Sequence, residues 1–315
     1  MREPGDDDYA PFVWTRKLSV GMATAEVEAA PVPLSTHELA NAVVEEKAEA
    51  AEGLSIRIEQ AGPAMTVDIG SDEPTMAIVS ALPEIDVTEV AAMAILGDDG
   101  RLVPVPTMVS DDETITVVIS GEQTLVPLSV VSDFTDVTGH WGMEWIARAA
   151  SLMIIEGRGE GAFRPSDTVT NAETTTIFLR AFGIATNSEA PSLVGIDQSG
   201  WYAPYLNTAA QRGWISGGIT PGAPITRVEI AGLIVNALND LGLGASIPSD
   251  EVEPILAQFR DLGGLTEQER ERMAICVRLG IFMGNGDGTL GARGVLTRAH
   301  MAVLAVRLQS RIFGE

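Results

Sequence analysis

The residues best placed to do chemistry stand in three similar strings, each at the start of an apolar-periodic segment. The strings are residues 169–173 (VTNAE), 225–229 (ITRVE) and 296–300 (LTRAH). In the second and third strings an arginine, Arg227 or Arg298, falls at the first helical position, beside backbone amides at the positive end of the helix dipole. A guanidinium there can hold a carboxylate through two parallel hydrogen bonds. The spacing therefore predicts anion binding; the alternative is that both arginines are exposed and make only local hydrogen bonds.

The threonines and glutamates of the strings indicate why helices begin there. The pairs Thr170 with Glu173 and Thr226 with Glu229 have the spacing of a capping box. In such a box the hydroxyl and the carboxylate each satisfy a backbone amide of the first turn. Thr297 starts the third helix in the same way, but His300 replaces the glutamate, which predicts a weaker cap.

Aromatic residues and glycines recur ahead of the strings. Trp141 and Trp201 open the first helix of their copies at a constant offset of 60 residues. An indole ring can stack on the C–H face of a sugar; the alternative for both is a place in the core, which Trp145 and Trp214 are expected to occupy. Three glycines are predicted to end the first helices with positive φ: Gly157, Gly217 and Gly284.

The C-terminal half is thus a threefold internal repeat of helix, turn-rich loop and helix. The glycine and the threonine of a copy are 13 residues apart in the first and third copies and 9 apart in the second. The second helices carry apolar stripes of helical period, formed by Ile230, Leu233, Ile234, Ala237 and Leu238 in one copy and by Met301, Leu304, Ala305 and Leu308 in the next. Because so small a unit cannot bury its apolar face alone, the three copies must share a core.

These segments resemble the S-layer homology domain of bacterial surface proteins. The resemblance rests on the three strings and on residues 134–141 (FTDVTGHW), 157–165 (GRGEGAFRP), 259–261 (FRD) and 284–290 (GNGDGTL). It implies repeats at 134–183, 194–242 and 257–315, in an all-α-type pseudo-threefold assembly around a central helical bundle. It also implies non-covalent anchoring to a secondary cell-wall polysaccharide, often one that carries pyruvate ketals, through grooves between neighbouring repeats.

The resemblance implies which residues face the polysaccharide, namely Arg227, Arg298, Trp141, Trp201, Gly157, Gly217, Gly284 and Asn171. The first copy departs from the family because Asn171 stands where arginine is expected. The third copy has no tryptophan, since Leu265 and Gln268 occupy the aligned region, and it lacks the capping glutamate. Only the second copy has the tryptophan, the arginine and the capping glutamate together. We therefore expect one or two grooves that bind polysaccharide.

Charge separates the two halves of the 315-residue chain, whose length suggests about two domains. The formal net charge is −24, which argues against nucleic acid because phosphate contacts need clustered Lys and Arg. Through Asp133 there are 25 acids and 6 bases, whereas the rest has 19 acids and 14 bases. The excess of acidic residues belongs mostly to the first half. The second half is close enough to neutral to be compatible with binding an acidic glycan.

The first half predicts a ragged segment at 1–20 and a β-rich spacer domain at 21–133, either all-β or α+β. Ser35 with Glu38 predicts a capped helix to about Ala51. Short alternating runs predict strands at 54–59, 65–69, 90–96, 102–108, 114–119 and 124–130. Residues 96–102 read as a hairpin, and the whole indicates a small sandwich or meander.

Several other features are expected to be absent. The start has no signal-peptide pattern, and no apolar run reaches the length of a membrane span. His37, His140 and His300 are scattered without zinc spacing, and Cys276 is expected to be a small buried hydrophobe. No catalytic residue, metal site or cofactor is predicted.

The expected function is non-catalytic anchoring outside the cell, at the wall or S-layer, with wall polysaccharide as the partner and other surface-layer subunits as a further candidate partner. The alternative is a fragment of a surface hydrolase or of an S-layer assembly protein, whose repeats make protein–protein contacts.

Overall fold

The computed structural model describes residues 24–28, 30–31, 56–62, 64–69, 74–80, 85–96, 102–110 and 114–313. The segment 1–20 and the helix predicted from Ser35 lie outside these residues. The described residues form two compact units. The β unit comprises those between Met22 and Pro165 together with Ile177–Ala185, and the helical unit comprises Ser166–Thr176 and those from Thr186 onward. Within the described ranges, no helix is both long and apolar enough to cross a bilayer.

The β unit is built from two sheets. Its described strands are β1 (Thr24–Glu28), β2 (Ala30–Pro31), β3 (Ile56–Gln60), β4 (Met65–Asp68), β5 (Thr75–Ser80), β6 (Ala92–Leu96), β7 (Leu102–Val105), β8 (Thr107–Val109), β9 (Ile115–Ile119) and β10 (Glu122–Ser132). One sheet has the order β1-β5-β9-β8, and the other has the order β2-β4-β10-β6-β7 with β3 also paired to β10. The β1–β5 pair is parallel, and the other pairs between these strands are antiparallel.

The two sheets share one hydrophobic core. Ala77 and Val117 come from the first sheet, and Val67, Met93 and Leu125 come from the second; all are buried in a single cluster. Side chains of both sheets therefore face one another, as in a sandwich. The N-terminal region is β-rich, as the sequence predicts.

Strands β1 and β2 were not predicted, and two further differences from the predicted strands have a physical reason. The single strand expected over 102–108 is two strands, because the chain changes sheets at Pro106: β7 pairs with β6, and β8 pairs with β9. Strand β5 was not predicted, because Met76 and Ile78 are as apolar as the buried Ala77 and Val79 that alternate with them. The period-2 signal of polar and apolar residues is therefore missing there.

The described part beyond the sandwich contains seven α-helices. These are α1 (Met143–Ser151), α2 (Asn171–Ala181), α3 (Ala203–Gln211), α4 (Arg227–Asp240), α5 (Ser249–Leu256), α6 (Glu267–Arg278) and α7 (Arg298–Ile312). Helices α1 to α4, α6 and α7 lie at the sequence positions where helices were predicted. Helix α5 was not predicted; its Glu253 pairs with Arg270 of α6, whose Nη2 lies 2.6 Å from Oε2. The predicted stripes of α4 and α7 are all buried, and burial extends further round both helices.

The first helix of each copy ends before the glycine that was predicted to end it, at Ser151, Gln211 and Arg278. The residues after the helices with positive φ are Met153 (57°), Gly213 (75°) and Gly280 (69°). Each is followed by an amide that donates to a carbonyl five residues back, as Trp214 does to Ala209 at 2.9 Å, which is a Schellman end. Of the three predicted glycines, only Gly284 has positive φ (81°). Buried apolar residues such as Trp214 continue past the end of the helix, so apolar content alone predicts too long a helix.

Helix α1 packs against β10 within the β unit. Met153, at the end of α1, is buried in a second cluster with Ala92, Ala94 and Leu128 of β6 and β10. This cluster is distinct from the core between the sheets, so it covers the other face of the second sheet. The first helix of the first copy is thus an integral part of the β unit.

Candidate functional site

The three threonine strings form a closed ring of backbone hydrogen bonds. The N–H of Val169 donates to the carbonyl of Leu296 at 3.0 Å, that of Leu296 to Ile225 at 3.4 Å, and that of Ile225 to Val169 at 3.3 Å. Each string therefore contacts both of the others through equivalent atoms. The ring places the starts of α2, α4 and α7 around one point of the helical unit.

A second set of equivalent bonds uses the first amide of each helix. The amides of Asn171, Arg227 and Arg298 donate to the carbonyls of Ala223, Gly294 and Asp167 at 3.0, 3.0 and 2.9 Å. In α4 the next amide, that of Val228, donates to Ala292 at 2.9 Å. The amides expected to be available to an anion are thus already bound to a neighbouring copy. Any anion recognition at these helix starts must come from the side chains.

The predicted capping residues lie in the expected geometry. A carboxylate oxygen of Glu173 accepts from the amide of Thr170 at 3.0 Å, and one of Glu229 accepts from that of Thr226 at 2.7 Å. In the third copy Nδ1 of His300 takes this place, 3.3 Å from the amide of Thr297. An unprotonated imidazole nitrogen accepts a hydrogen bond as a carboxylate does, which is how histidine fits the box.

Arg227 extends from the start of α4 onto the loop of the third copy. Its Nη1 donates to the carbonyl of Leu290 and lies 3.3 Å from Oδ1 of Asn285. Its Cζ is 5.6 Å from the centre of the Phe282 ring. The residue is half-buried, so these contacts fix the guanidinium while part of the residue reaches solvent. It lies at the boundary between the second and third copies.

The loop that receives Arg227 is held by Asp261, whose role sequence reasoning missed. One carboxylate oxygen of Asp261 accepts from the amide of Leu290 and the other from that of Gly291, both at 2.7 Å. Gly284 begins this loop, and a Cβ on it would lie 2.6 Å from Cε1 of Phe259. Glycine is required there by both space and φ.

The first copy repeats this arrangement. Asp136 accepts from the amides of Phe163 and Arg164 at 2.8 and 2.7 Å. The signal that could have revealed the role is the Phe-x-Asp string ahead of both copies, at 134–136 and 259–261. A repeated aspartate followed about thirty residues later by a glycine-rich loop indicates a carboxylate that binds loop amides.

The other two first helical residues lie in different surroundings. Arg298 is only 5% exposed, and its Nη1 is 3.5 Å from Oε1 of Glu173. Asn171 is half-buried and donates from Nδ2 to the carbonyl of Thr220 at 3.0 Å. Among the three equivalent positions, the second alone presents a guanidinium that is not buried.

The tryptophans divide into exposed and buried residues. Trp141 and Trp201 are 43% and 59% exposed, and Trp201 stands edge-on to Tyr202 with ring centres 5.8 Å apart. Trp214 is 1% exposed and donates from Nε1 to Asp240 at 2.8 Å, as its predicted core position requires. Trp145, which was also expected in the core, is only half-buried. The two tryptophans predicted to face a sugar are therefore open to solvent.

The remaining candidate residues, Gly157, Gly217 and Cys276, do not contribute to a catalytic or metal-binding site in the described part of the chain. Gly157 is half-buried and Gly217 is exposed, with nothing within 4 Å of a Cβ built on the latter. Cys276 is fully buried, as predicted, and burial raises the pKa of its thiol. Across the part of the chain that the structure describes, no three His, Cys, Asp or Glu side chains are grouped so as to hold a metal ion.

Comparison with known proteins finds a match to one family in two segments of the chain. The sequence model of the S-layer homology domain matches residues 133–175 and 258–302. The chain is 28% identical over 175 residues to exoglucanase XynX of Acetivibrio thermocellus, across 54% of this chain and 16% of that protein.

Two further relatives bear different names. The amylopullulanase of Thermoanaerobacterium thermosulfurigenes is 27% identical over 180 residues, across 54% of this chain and 9% of that protein. The surface-layer 125 kDa protein of Lysinibacillus sphaericus is 24% identical over 184 residues, across 56% of this chain and 15% of that protein. The chain therefore spans less than a fifth of the length of each of these three relatives.

The matched family and the surface-layer relatives point to the cell surface or the cell wall. The matched segments coincide with the first and third copies, which carry the aspartate-held loops. The chain therefore contains two segments, residues 133–175 and 258–302, that match the S-layer homology domain.

Proposed function

We propose that this protein is a non-catalytic anchor that binds an anionic secondary cell-wall polysaccharide outside the cell. The group recognised is a carboxylate, such as that of a pyruvate ketal on a sugar. The single observation that carries this proposal is the position of Arg227, which is only half-buried and whose guanidinium is oriented by contacts with a neighbouring copy. The S-layer homology match supports the choice of a wall glycan as the anion.

The anchor is proposed to be three repeats, at 134–183, 194–242 and 257–315, related by pseudo-threefold symmetry. Two kinds of support exist for this arrangement. The strings of all three copies close a ring through equivalent backbone bonds. The second copy also aligns with the first at an offset of 60 residues, in the helices α1 and α3 as in the sequence.

The existing contacts of the Arg227 side chain and of the first amides of α4 determine how a carboxylate would be recognised. Since Nη1 donates to Leu290 and lies near Asn285, its orientation is fixed before a ligand arrives. A planar guanidinium fixed in this way pairs with a carboxylate at little further entropic cost, and the pair is charge-assisted. The first two backbone amides of α4 are not available for this contact, because they already donate to the neighbouring copy.

Exposed aromatic rings supply a second kind of contact in this proposal. Trp201 lies beside Tyr202 and Tyr205, with ring centres 5.8 and 6.4 Å apart, and it is the most exposed tryptophan among the described residues. Sugar rings stack on such faces through their C–H groups. A neutral part of the glycan would bind there, whereas the carboxylate binds the guanidinium.

Co-sedimentation of the full chain with purified wall sacculi tests the proposal. The full chain is needed because Met153 packs on the sandwich, so that a shortened chain would expose apolar surface. We expect binding to intact sacculi and its loss after mild acid removal of pyruvate. Binding that survives removal of pyruvate would overturn the carboxylate mechanism, and absence of binding to intact sacculi would overturn wall anchoring.

A second candidate is that the chain is a piece of a surface hydrolase or of an S-layer assembly protein. Relatives named as an exoglucanase and an amylopullulanase match only a small share of their length, which favours an appended module over shared catalysis. If the repeats served protein–protein contacts, the chain would bind a surface-layer preparation that is free of polysaccharide. The same sedimentation assay, with such a preparation in place of sacculi, separates the two.

A further inference from the structure

Of the asparagines in the chain, only Asn285 is followed by glycine, Gly286. The side-chain amide of an asparagine can react with the backbone nitrogen of the next residue, which closes a cyclic imide and releases ammonia. Glycine in the second position makes this easiest, because it has no side chain to obstruct the approach. By residue type, Asn285 is therefore the asparagine of this sequence that deamidates most readily.

The nitrogen that would attack is accessible in the fold. Asn285 and Gly286 are both exposed, in the loop that begins at Gly284. The amide of Asn285 donates to the carbonyl of Thr289 at 2.9 Å, and that of Thr289 to Asp287 at 2.9 Å. Within the described residues, the amide of Gly286 donates to no protein acceptor. Solvent can therefore take the proton of this amide, as the reaction requires.

A guanidinium lies at the carbonyl that would be attacked. Nη1 of Arg227 is 3.3 Å from Oδ1 of Asn285, and the same nitrogen donates to the carbonyl of Leu290. When a nitrogen adds to Cγ of Asn285, negative charge develops on Oδ1. A positive donor fixed beside this oxygen stabilises that charge, as the donors of an oxyanion hole do.

The nitrogen that would leave also has a partner. Nδ2 of Asn285 donates to Oγ1 of Thr289 at 3.0 Å, and this hydroxyl donates to Oδ1 of Asp287 at 2.6 Å. A hydroxyl in this place can pass a proton to the nitrogen and recover one from water, so that the nitrogen departs as ammonia. Cγ of Asn285 thus lies between a positive donor and a source of protons.

We propose that Asn285 is a deamidation site whose reaction is accelerated by Arg227 and by its own loop. The Gly286 nitrogen loses its proton to solvent and bonds to Cγ of Asn285, the Cγ–Nδ2 bond breaks, and ammonia leaves. Water then adds to one of the two imide carbonyls and opens the ring, which yields aspartate or isoaspartate. The net reaction converts amide and water into carboxylate and ammonium, with no change of oxidation state.

The product has its new charge beside Arg227. An aspartate at position 285 places a carboxylate where Oδ1 now lies, 3.3 Å from Nη1, which is ion-pair distance. An external carboxylate must then compete with one that is tethered at high effective concentration. Deamidation would therefore release aged chains from the wall. This consequence, unlike the reaction itself, rests on the proposed function.

Ageing of the full chain at several pH values, followed by peptide mass spectrometry, tests the reaction. We expect conversion to be greatest at Asn285 and to become faster as pH rises, since the attacking nitrogen must be deprotonated. Asn187, which precedes Ser188, is the internal control. It is also exposed, but its Oδ1 accepts from the uncharged amide of Glu189 at 2.9 Å. An intact Asn285, or faster conversion at Asn187, would overturn the proposal.

Arg227→Gln separates chemical acceleration from a purely structural role. Loss of the positive donor should slow conversion of Asn285 by about three- to tenfold, less than in an enclosed active site because this pair is open to solvent. If Arg227 only held the loop rigid, its loss would speed conversion up, so a faster or unchanged rate would overturn its role. Wild-type chain unfolded in urea needs no variant and should convert more slowly than the folded chain; the opposite order would contradict acceleration by the fold.

Asn285→Asp tests the consequence for attachment. Its co-sedimentation with sacculi should be weakened by about tenfold, whereas Asn187→Asp, with the same added charge, should bind as the wild type does. Equal binding of Asn285→Asp and wild type would overturn the release of aged chains. If the wild-type chain bound no sacculi, the proposed function would fail, and the mass spectra would still decide whether Asn285 deamidates.

Discussion

At the scale of single residues, Asp261 acts on two backbone amides at once. Each of its oxygens accepts one hydrogen bond at 2.7 Å, and the two donors flank the carbonyl that Arg227 contacts. Asp261→Asn replaces one acceptor by a donor, so that one amide loses its partner. We expect sacculus binding to fall by about tenfold, since the loss of one such bond to a charged group is worth about 1.5–3 kcal/mol.

The matched control for this change is Asp197→Asn in the second copy. Asp197 is exposed, and its pKa is lowered by the hydroxyl and the amide of Ser199, both two residues away. It holds no loop from a distant part of the sequence in these contacts, so sacculus binding should be unchanged. Equal losses in the two variants would contradict the positioning role of Asp261.

A second residue-scale prediction concerns the glycine that ends α3. Gly213 has φ of 75°, which an L-residue adopts at a cost of about 1–2 kcal/mol. Gly213→Ala should lower the free energy of unfolding by that amount, although nothing lies within 4 Å of the added Cβ. Urea denaturation followed by tryptophan fluorescence measures this change.

Gly217→Ala is the control, because Gly217 also has open space and does not have positive φ. Its free energy of unfolding should stay within about 1 kcal/mol of the wild type. A larger loss of unfolding free energy in Gly217→Ala than in Gly213→Ala would favour the helix end predicted at Gly217. It would contradict the Schellman end at Gly213.

At the scale of elements, the start of α6 couples stability to pH. Glu269 accepts from the amide of Thr266 at 2.8 Å and pairs with Arg293, and these contacts, the Thr266 bond foremost, lower the pKa of its carboxyl. A lowered folded-state pKa stabilises the protein above the unfolded value, near 4.5, and this contribution is lost as pH falls through the folded pKa. Glu269→Gln should therefore be less stable than the wild type at pH 7, and the difference should shrink towards pH 3.

Free energies of unfolding measured for both proteins from pH 7 to pH 3 check this. Asp250→Asn is a suitable companion, because it removes an exposed acid from the first turn of the neighbouring helix α5. It controls for the general effect of removing one negative charge from an acidic protein. A difference between wild type and Glu269→Gln that is constant with pH would contradict the linkage.

Much of the helical architecture was predictable at this scale, because local rules govern it. Thr226 and Glu229 define a helix start within four residues, and the buried stripe of α4 follows its 3.6-residue period. The helix ends were not predictable, since the non-helical chain after α3 includes the buried Trp214, and apolar content does not distinguish helix from turn. Strand β5 was missed for a similar reason, because both of its faces are apolar.

The candidate site was predictable only in part. Position and residue type singled out Arg227 and Arg298 equally, but charge at a helix start does not reveal burial. Glu173 and Arg298 lie far apart in the sequence. They meet only because the ring of backbone bonds brings the first and third strings together. The role of Asp261 depends likewise on a loop 29 residues further along the chain.

At the scale of the whole molecule, the first copy and the sandwich share apolar surface. Met153 is buried against Ala92, Ala94 and Leu128 of the sheet. Met153→Ala should lower the free energy of unfolding by about 2–5 kcal/mol, the usual range for truncating a buried methionine. Far-UV circular dichroism and fluorescence of Trp145, in α1, should report the same earlier transition.

Met143→Ala is the matched control, since Met143 lies on the same helix and is 41% exposed. The free energy of unfolding of Met143→Ala should lie within about 0.5 kcal/mol of the wild-type value. If the two methionine variants were equally stable, the cluster that joins α1 to the sheet would contribute nothing to folding.

The ring of backbone hydrogen bonds between the three strings also affects which substitutions the repeats can accept as their sequences diverge. Main-chain amides and carbonyls hold it, and these are present whatever side chain stands at the first helical position. Asparagine, a solvent-reaching arginine and a buried arginine all occupy that position here. A duplicated scaffold of this kind can lose or reassign its ligand contacts one copy at a time, and the architecture that presents the surviving contact stays intact.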